Sequence, residues 1–130
     1  MSENPMQRHG AFSWCELLTT DVAAAKRFYA ELLGWNMEDV TLEGMDMPYT
    51  VVKTGNDSIG GIMGIPPTVQ GMPPNWGTYV TVDDVDATAR KAQELGAKTL
   101  MPPTDIPNVG RFYTFQDPQG AVISVITYRM

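Results

Sequence analysis

Histidine and cysteine are almost missing from this chain of 130 residues, which has one of each, His9 and Cys15. A single thiol excludes an intrachain disulfide and fits a reducing, cytoplasmic setting. The scarcity of both residues also excludes zinc patterns built from clustered Cys and His. Positive charge is in the minority, nine Lys and Arg against fifteen Asp and Glu, for a net charge of -6. Nucleic-acid binding needs a basic face that displaces counterions, so this balance argues against it. It argues equally against an anionic membrane surface. No apolar run approaches the length of a membrane span, and the opening MSENPMQRHG has no apolar core of a signal peptide. Glycine-rich phosphate loops and triad spacings are absent too.

What is present describes a globular chain, 43% hydrophobic and 18% charged, long enough for one domain with a core. Nine methionines are more than usual. Met45, Met47 and Met72 fall in loop-like stretches, where a flexible thioether either fills gaps or lines an adaptable pocket.

Residues 11–20, AFSWCELLTT, predict a strand. Asp21 then caps a helix, because its carboxylate accepts from amides of the first turn. Val22, Ala25, Phe28, Tyr29, Leu32 and Leu33 recur at helical spacing as one apolar face, and Gly34 supplies the left-handed residue that ends it. Strands are expected near 35–43, 49–54 and 59–64, with turn residues Gly55, Asn56 and Asp57 between the last two. The Pro- and Gly-rich IPPTVQGMPPN (65–75) reads as a linker. A strand over 77–83 follows. Asp84 caps a second helix with Val85, Ala89, Ala92 and Leu95 on one face, and Gly96 ends it. Strands near 97–101, 111–116 and 121–129 complete the chain, and Asp117-Pro118-Gln119-Gly120 has the residue order of a type I turn.

The order repeats. Placing Asp21 over Asp84, a displacement of 63 positions, matches Val22 with Val85, Ala24 with Ala87, Arg27 with Arg90, Glu31 with Glu94 and Leu32 with Leu95. A half of this size is marginal by itself. The expected fold class is therefore α+β: two tandem βαβββ modules, about 10–66 and 76–130 with a linker about 67–75, forming a curved mixed sheet around a cleft.

WCELLTTDVAAAKRFYAELLGW, with its aspartate cap, the pair Phe28-Tyr29 and the ending Leu33-Gly34-Trp35, resembles the opening of the glyoxalase/bleomycin-resistance/extradiol-dioxygenase (vicinal oxygen chelate) superfamily. VDDVDA (Val82 to Ala87) and DPQGAVISV (Asp117 to Val125) are similar to its second-module signatures. The resemblance runs from about residue 10 to 129. It implies small-molecule binding and a homodimer. It also implies one divalent metal held by His, Glu or Gln from the first and last strands of each module. Carried over by motif, those positions fall on Trp14, Gly77, Ser124 and the stretch Gly61 to Met63. None is a good donor, so no family-type metal and no cofactor are expected. His9, in the N-terminal arm, reads as solvated.

Strand alternation puts Trp14, Glu16 and Leu18 on one face and Ser13, Cys15 and Leu17 on the other. Glu16 beside an indole is expected to be a general base or a hydrogen-bond anchor, its charged form disfavoured in a dry cleft; otherwise it is a rim glutamate or one paired with a nearby arginine. Trp14 is a wall for a planar ligand or part of the core. Tyr79 and Ser124 offer hydroxyls to a ligand, with Gly77 leaving space. Tyr49, Arg111 and Tyr113 are further candidates, Arg111 either gripping an anionic ligand or standing as a solvated strand-end charge. Cys15 is expected to be a buried structural thiol, and Asp83, Asp84 and Asp86 to serve the helix cap and dipole. Three functions stay open: a metal-independent pocket for a small aromatic or apolar molecule, a lyase, isomerase or hydrolase-like enzyme using Glu16 as base with or without an atypical metal, and an interaction module.

Overall fold

The computed structural model describes residues 4–41, 48–66 and 71–129. Met45, Met47 and part of the expected linker lie outside the described residues. The described residues form eight strands, two α-helices and a short 3-10 turn at Pro5–Gln7. The order is β1 (Phe12–Thr19), α1 (Val22–Leu33), β2 (Asn36–Val40), β3 (Tyr49–Thr54), β4 (Asp57–Gly64), β5 (Asn75–Thr81), α2 (Val85–Glu94), β6 (Lys98–Ile106), β7 (Gly110–Gln116) and β8 (Val122–Tyr128). This is α+β, with βαβββ twice in succession.

The chain divides into two compact units, Trp14–Gly77 and Met1–Ser13 with Thr78–Met130. The first, called module one below, has β1 parallel to β4, β4 antiparallel to β3 and β3 antiparallel to β2. The second, module two, repeats this with β5 parallel to β8, β8 antiparallel to β7 and β7 antiparallel to β6. The parallel pair in each arises because the capped helix carries the chain from the first strand to the far side of the module.

Local chemistry starts and stops the helices as the residues predict. The Asp21 carboxylate accepts from the Ala24 amide at 3.0 Å, and that of Asp84 from the Ala87 amide at 3.1 Å. Gly34 closes α1 at a φ of 72°, and Gly96 follows α2 at 97°, a region that favours glycine. Gly120 donates to the Asp117 carbonyl at 2.9 Å, closing the turn before β8.

Each module has its own core. In module one Leu17, Val52 and Ile62 are buried, with Val22, Ala25, Tyr29, Trp35 and Met37 packed on them. In module two Val82, Val85, Ala89, Tyr113 and Val125 are buried beneath Val80, Ala92 and Phe115. Two expectations are corrected here. The apolar face of α1 is narrower than its sequence, since it packs through Val22, Ala25 and Tyr29 and leaves Phe28, Leu32 and Leu33 52–62% exposed as a flank. Cys15 is exposed rather than buried. It shares a strand face with Leu17, but the helical residues gather on Leu17, and its partner across the ladder is Gly60, which has no side chain to cover it.

The N-terminal arm belongs to module two. Gly10 donates to Thr81 and Thr81 to Ala11 at 2.7 and 2.8 Å. The Thr81 hydroxyl donates to the Pro5 carbonyl at 2.7 Å. His9 Nδ1 accepts from the Asp83 amide at 3.0 Å.

Candidate functional site

At the centre of each module the strand registers align residue for residue. Glu16 pairs with Gly61 and Gly61 with Val51 in module one. Tyr79 pairs with Ser124 and Ser124 with Thr114 in module two. Each of these pairs of equivalents is separated by the same 63 positions as Asp21 and Asp84, so the repeat found in the helices extends through the sheets.

In module one the rung is occupied by a chain of hydrogen bonds. Trp14 Nε1 donates to the Tyr49 hydroxyl at 2.9 Å, and that hydroxyl donates to Glu16 Oε2 at 2.8 Å. Trp14 and Glu16 are two apart on β1 and so share its face; Tyr49, at the start of β3, reaches them across β4. It can do so because Gly61 lies between. A Cβ built on Gly61 would overlap the Tyr49 hydroxyl and come within 2.7 Å of Cε2. Tyr49 is itself buried, whereas Trp14 and Glu16 are half-buried. The indole has one N–H, and that is committed to Tyr49, so what Trp14 can still offer is its flat apolar surface. The Glu16 carboxylate has one oxygen aimed by the phenol, which sets the direction of the group.

In module two the equivalent rung carries hydroxyls and no carboxylate. Thr114 Oγ1 and Ser124 Oγ are 2.6 Å apart, and Ser124 is buried. Phe112 stands where module one has Tyr49, and its ring meets that of Tyr79 edge to face at a centroid distance of 6.4 Å. Gly77, the equivalent of Trp14, carries no side chain. Tyr113 is fully buried in the core with its hydroxyl 2.8 Å from Thr99 Oγ1, so it packs the interior instead of facing a ligand. The three residues Trp14, Glu16 and Tyr49 are thus brought together, and Tyr79 and Ser124 are neighbours on one rung.

Arg111 does meet carboxylates, but they belong to the chain. Its Nε and Nη2 donate to the two oxygens of Asp86 at 2.9 and 3.0 Å, and Nη1 donates to Asp105 at 3.1 Å. Arg129 adds a bond to the same Asp105 oxygen at 2.8 Å. These bonds, Arg111 first, hold both aspartates below their ordinary range and raise the guanidinium further. Asp86 therefore serves this pairing besides its place in the first turn of α2. Asp83, Asp84, Asp86, Arg111 and Arg129 border a hollow of about 180 Å³.

A larger hollow of about 330 Å³ lies at the ends of β1 and β4, lined by Thr19, Thr20, Gly64, Ile65, Gly71 and Met72. Met72 thus lines a cavity, one of the two roles open to it. The two threonines are not among the candidate residues read from the sequence. Their signal was available, since both parallel strands end there just before the helix cap and the linker, where backbone groups leave the ladder.

A scan against family models matches residues 11–125 to the Glyoxalase/Bleomycin resistance protein/Dioxygenase superfamily. This chain belongs to that superfamily. Among curated proteins, CFP32 of Mycobacterium bovis is 37% identical over 126 residues, 96% of this chain and 48% of that protein. The anthracycline biosynthesis protein DnrV of Streptomyces peucetius is 30% identical over 128 residues, 89% of this chain and 46% of that protein. The chain spans about half the length of these relatives. Among solved structures, methylmalonyl-CoA epimerase from Mycobacterium tuberculosis superposes with a TM-score of 0.67 at 12% identity, covering 100% of this chain and 93% of that one. A hypothetical protein, BH1468 from Bacillus halodurans, gives 0.66 at 10% identity, covering 95% and 97%. At such identities the likeness is one of fold.

The metal implied by the superfamily does not fit the residues found here. Trp14 presents an N–H donor, which is engaged, and Gly77 has no side chain. The side-chain space of Gly61 is filled by the Tyr49 phenol, and Ser124 is bonded to Thr114. Among the described residues no three or more of His, Cys, Asp and Glu gather as a metal-holding group.

Proposed function

We propose that this superfamily member binds a small, planar, largely apolar organic molecule against the face of Trp14, anchored by a hydrogen bond to the Glu16 carboxylate. The observation that carries this reading is the Trp14–Tyr49–Glu16 chain. It turns the polar edge of the indole inward, leaves a flat apolar wall, and aims one carboxylate beside it. The relatives named for anthracycline biosynthesis support planar aromatic compounds as the class to try. Tyr79 and Ser124 are proposed as ligand contacts of module two. The Arg111 ion-pair cluster is proposed as an anion contact only where a ligand carboxylate displaces Asp105.

A thermal-shift screen of planar aromatic compounds, an anthracycline among them, tests this directly. Trp14→Ala should weaken each stabilising compound about tenfold or more, roughly 1.4 kcal/mol. Unchanged affinity in that variant removes Trp14 from the site. Tyr79→Phe and Ser124→Ala, measured the same way, test module two separately.

A second reading is supported by the orientation of Glu16: an isomerase- or lyase-type activity with this carboxylate as general base. Glu16→Gln should then abolish turnover of a substrate while sparing its binding. Turnover that survives the substitution rejects the base.

The active form is proposed to be a homodimer, which the exposed Phe28, Leu32 and Leu33 support as an apolar surface in search of cover. Sedimentation at micromolar concentration should give twice the 14.3 kDa of one chain, and a single-chain mass throughout rejects it. A reducing, cytoplasmic setting suits a chain whose one thiol, Cys15, is exposed.

A further inference from the structure

Gly61 is a glycine for a steric reason. It is not among the glycines with positive φ, and it lies inside strand β4, where glycine weakens a ladder by leaving nothing to pack. Its neighbour Gly60 has a backbone reason, because a Cβ there would come within 2.6 Å of the Cys15 carbonyl oxygen. At Gly61 the three nearest atoms in conflict all belong to the Tyr49 phenol. The position thus makes sense only together with Tyr49. The equivalent position of module two, Ser124, carries a side chain bonded to Thr114, and there the ring corresponding to Tyr49 is Phe112, which meets the Tyr79 ring edge to face.

We propose that Tyr49 is the positioning residue of the site and that Gly61 is its steric partner: the phenol takes the place of a side chain at 61 and from there fixes both Trp14 and Glu16. This rests on the reading of Trp14 and Glu16 as the ligand-contacting pair and deepens it. The geometry makes the role specific. The Tyr49 hydroxyl is the joint of the chain, accepting from one ligand-contacting residue and donating to the other. One atom therefore sets the tilt of the indole and the rotamer of the carboxylate, and it is buried where solvent does not substitute for it easily. A ligand contact made by Trp14 or Glu16 is then only as well placed as the phenol between them.

The test uses the free chain of 130 residues. Its ¹H–¹⁵N spectrum contains an indole N–H signal from each of Trp14, Trp35 and Trp76, and Trp14→Phe identifies the first. Tyr49→Phe keeps the ring and removes the hydroxyl. It should move the Trp14 signal and speed its exchange with solvent about tenfold, the loss of one hydrogen bond, while the Trp35 and Trp76 signals stay in place. Gly61→Ala should produce the same displacement of Trp14 by pushing the phenol aside. A Trp14 signal that stays put in either variant overturns the proposal. Should Gly61→Ala fold poorly, the pair Gly61→Ala with Tyr49→Leu decides the matter, because removing the phenol relieves the overlap. The double variant should be more stable to urea than Gly61→Ala alone, and a double variant no more stable overturns the steric pairing. No ligand enters these measurements. Failure of the planar-ligand screen therefore leaves them standing, and their failure leaves the screen standing.

Discussion

Glu16, Gly61 and Val51 form one rung of module one, and Tyr79, Ser124 and Thr114 form the corresponding rung of module two. The backbone pairing is the same, but the side chains solve different problems. Module one empties the central position and fills it from a neighbouring strand with Tyr49, which gathers an indole and a carboxylate. Module two keeps a small hydroxyl at that position and satisfies it locally with Thr114. The difference teaches that a repeated βαβββ frame is set by caps, turns and ladders, which recur, while the chemistry hung on it depends on which strand supplies the group at the rung. The cores differ in the same way. Thr50 in module one and Tyr113 in module two are equivalent and both buried, but Thr50 bonds to Asp39 and Tyr113 to Thr99.

The largest test of the shared frame lies in the cores. Ile62 and Val125 are equivalent and buried. Ile62→Ala should cost about 2–5 kcal/mol in urea unfolding. Val125→Ala deletes one carbon fewer and should cost roughly 1 kcal/mol less. A reversed order would show that the two cores are not built to the same tightness.

Next comes the asymmetry of the rungs. Tyr49→Phe removes a hydroxyl that serves two partners and should destabilise the chain by about 1–3 kcal/mol. Phe112→Tyr, the reciprocal change in module two, adds a hydroxyl with no counterpart of Trp14 to receive, since Gly77 stands there. Differential scanning calorimetry should find the first harmful and the second close to neutral. Equal effects would break the distinction between the modules.

The caps should behave alike. Asp21→Ala and Asp84→Ala each remove one side-chain acceptor from a first-turn amide. Each should cost about 1 kcal/mol, read from the urea midpoint. The smallest effect is electrostatic and belongs to module two. Asp86 and Asp105 are held below their ordinary value of 3.8, chiefly by hydrogen bonds from Arg111. A carboxyl whose folded pKa is depressed stabilises the fold above its unfolded value and loses that contribution as pH falls through the folded value. The Arg111-dependent stability should therefore be complete above about pH 4 and fade below it. Arg111→Met should flatten that acid limb of the Tm-against-pH curve, modestly because the cluster is solvent-accessible.

By itself the sequence determined what neighbours along the chain can decide. Asp21 and Asp84 start helices, Gly34 and Gly96 end them, Asp117 to Gly120 turn the chain, and alternation puts Trp14 and Glu16 on one face. The superfamily was legible for the same reason, because its motifs are these short-range signals in order. The tertiary structure decided the rest. Tyr49 meets Trp14 and Glu16 over 35 and 33 positions, a meeting that requires the β1–β4–β3 register and the missing side chain of Gly61 together. Arg111 finds Asp86 over 25 positions, which no spacing rule connects. The exposure of Phe28, Leu32 and Leu33 depends on how much of α1 its own sheet can cover. The absence of donors at the metal positions was readable from residue types, but that a phenol fills one of those spaces was not. A side chain's neighbours across a sheet follow from strand order and register, and these are properties of the folded chain.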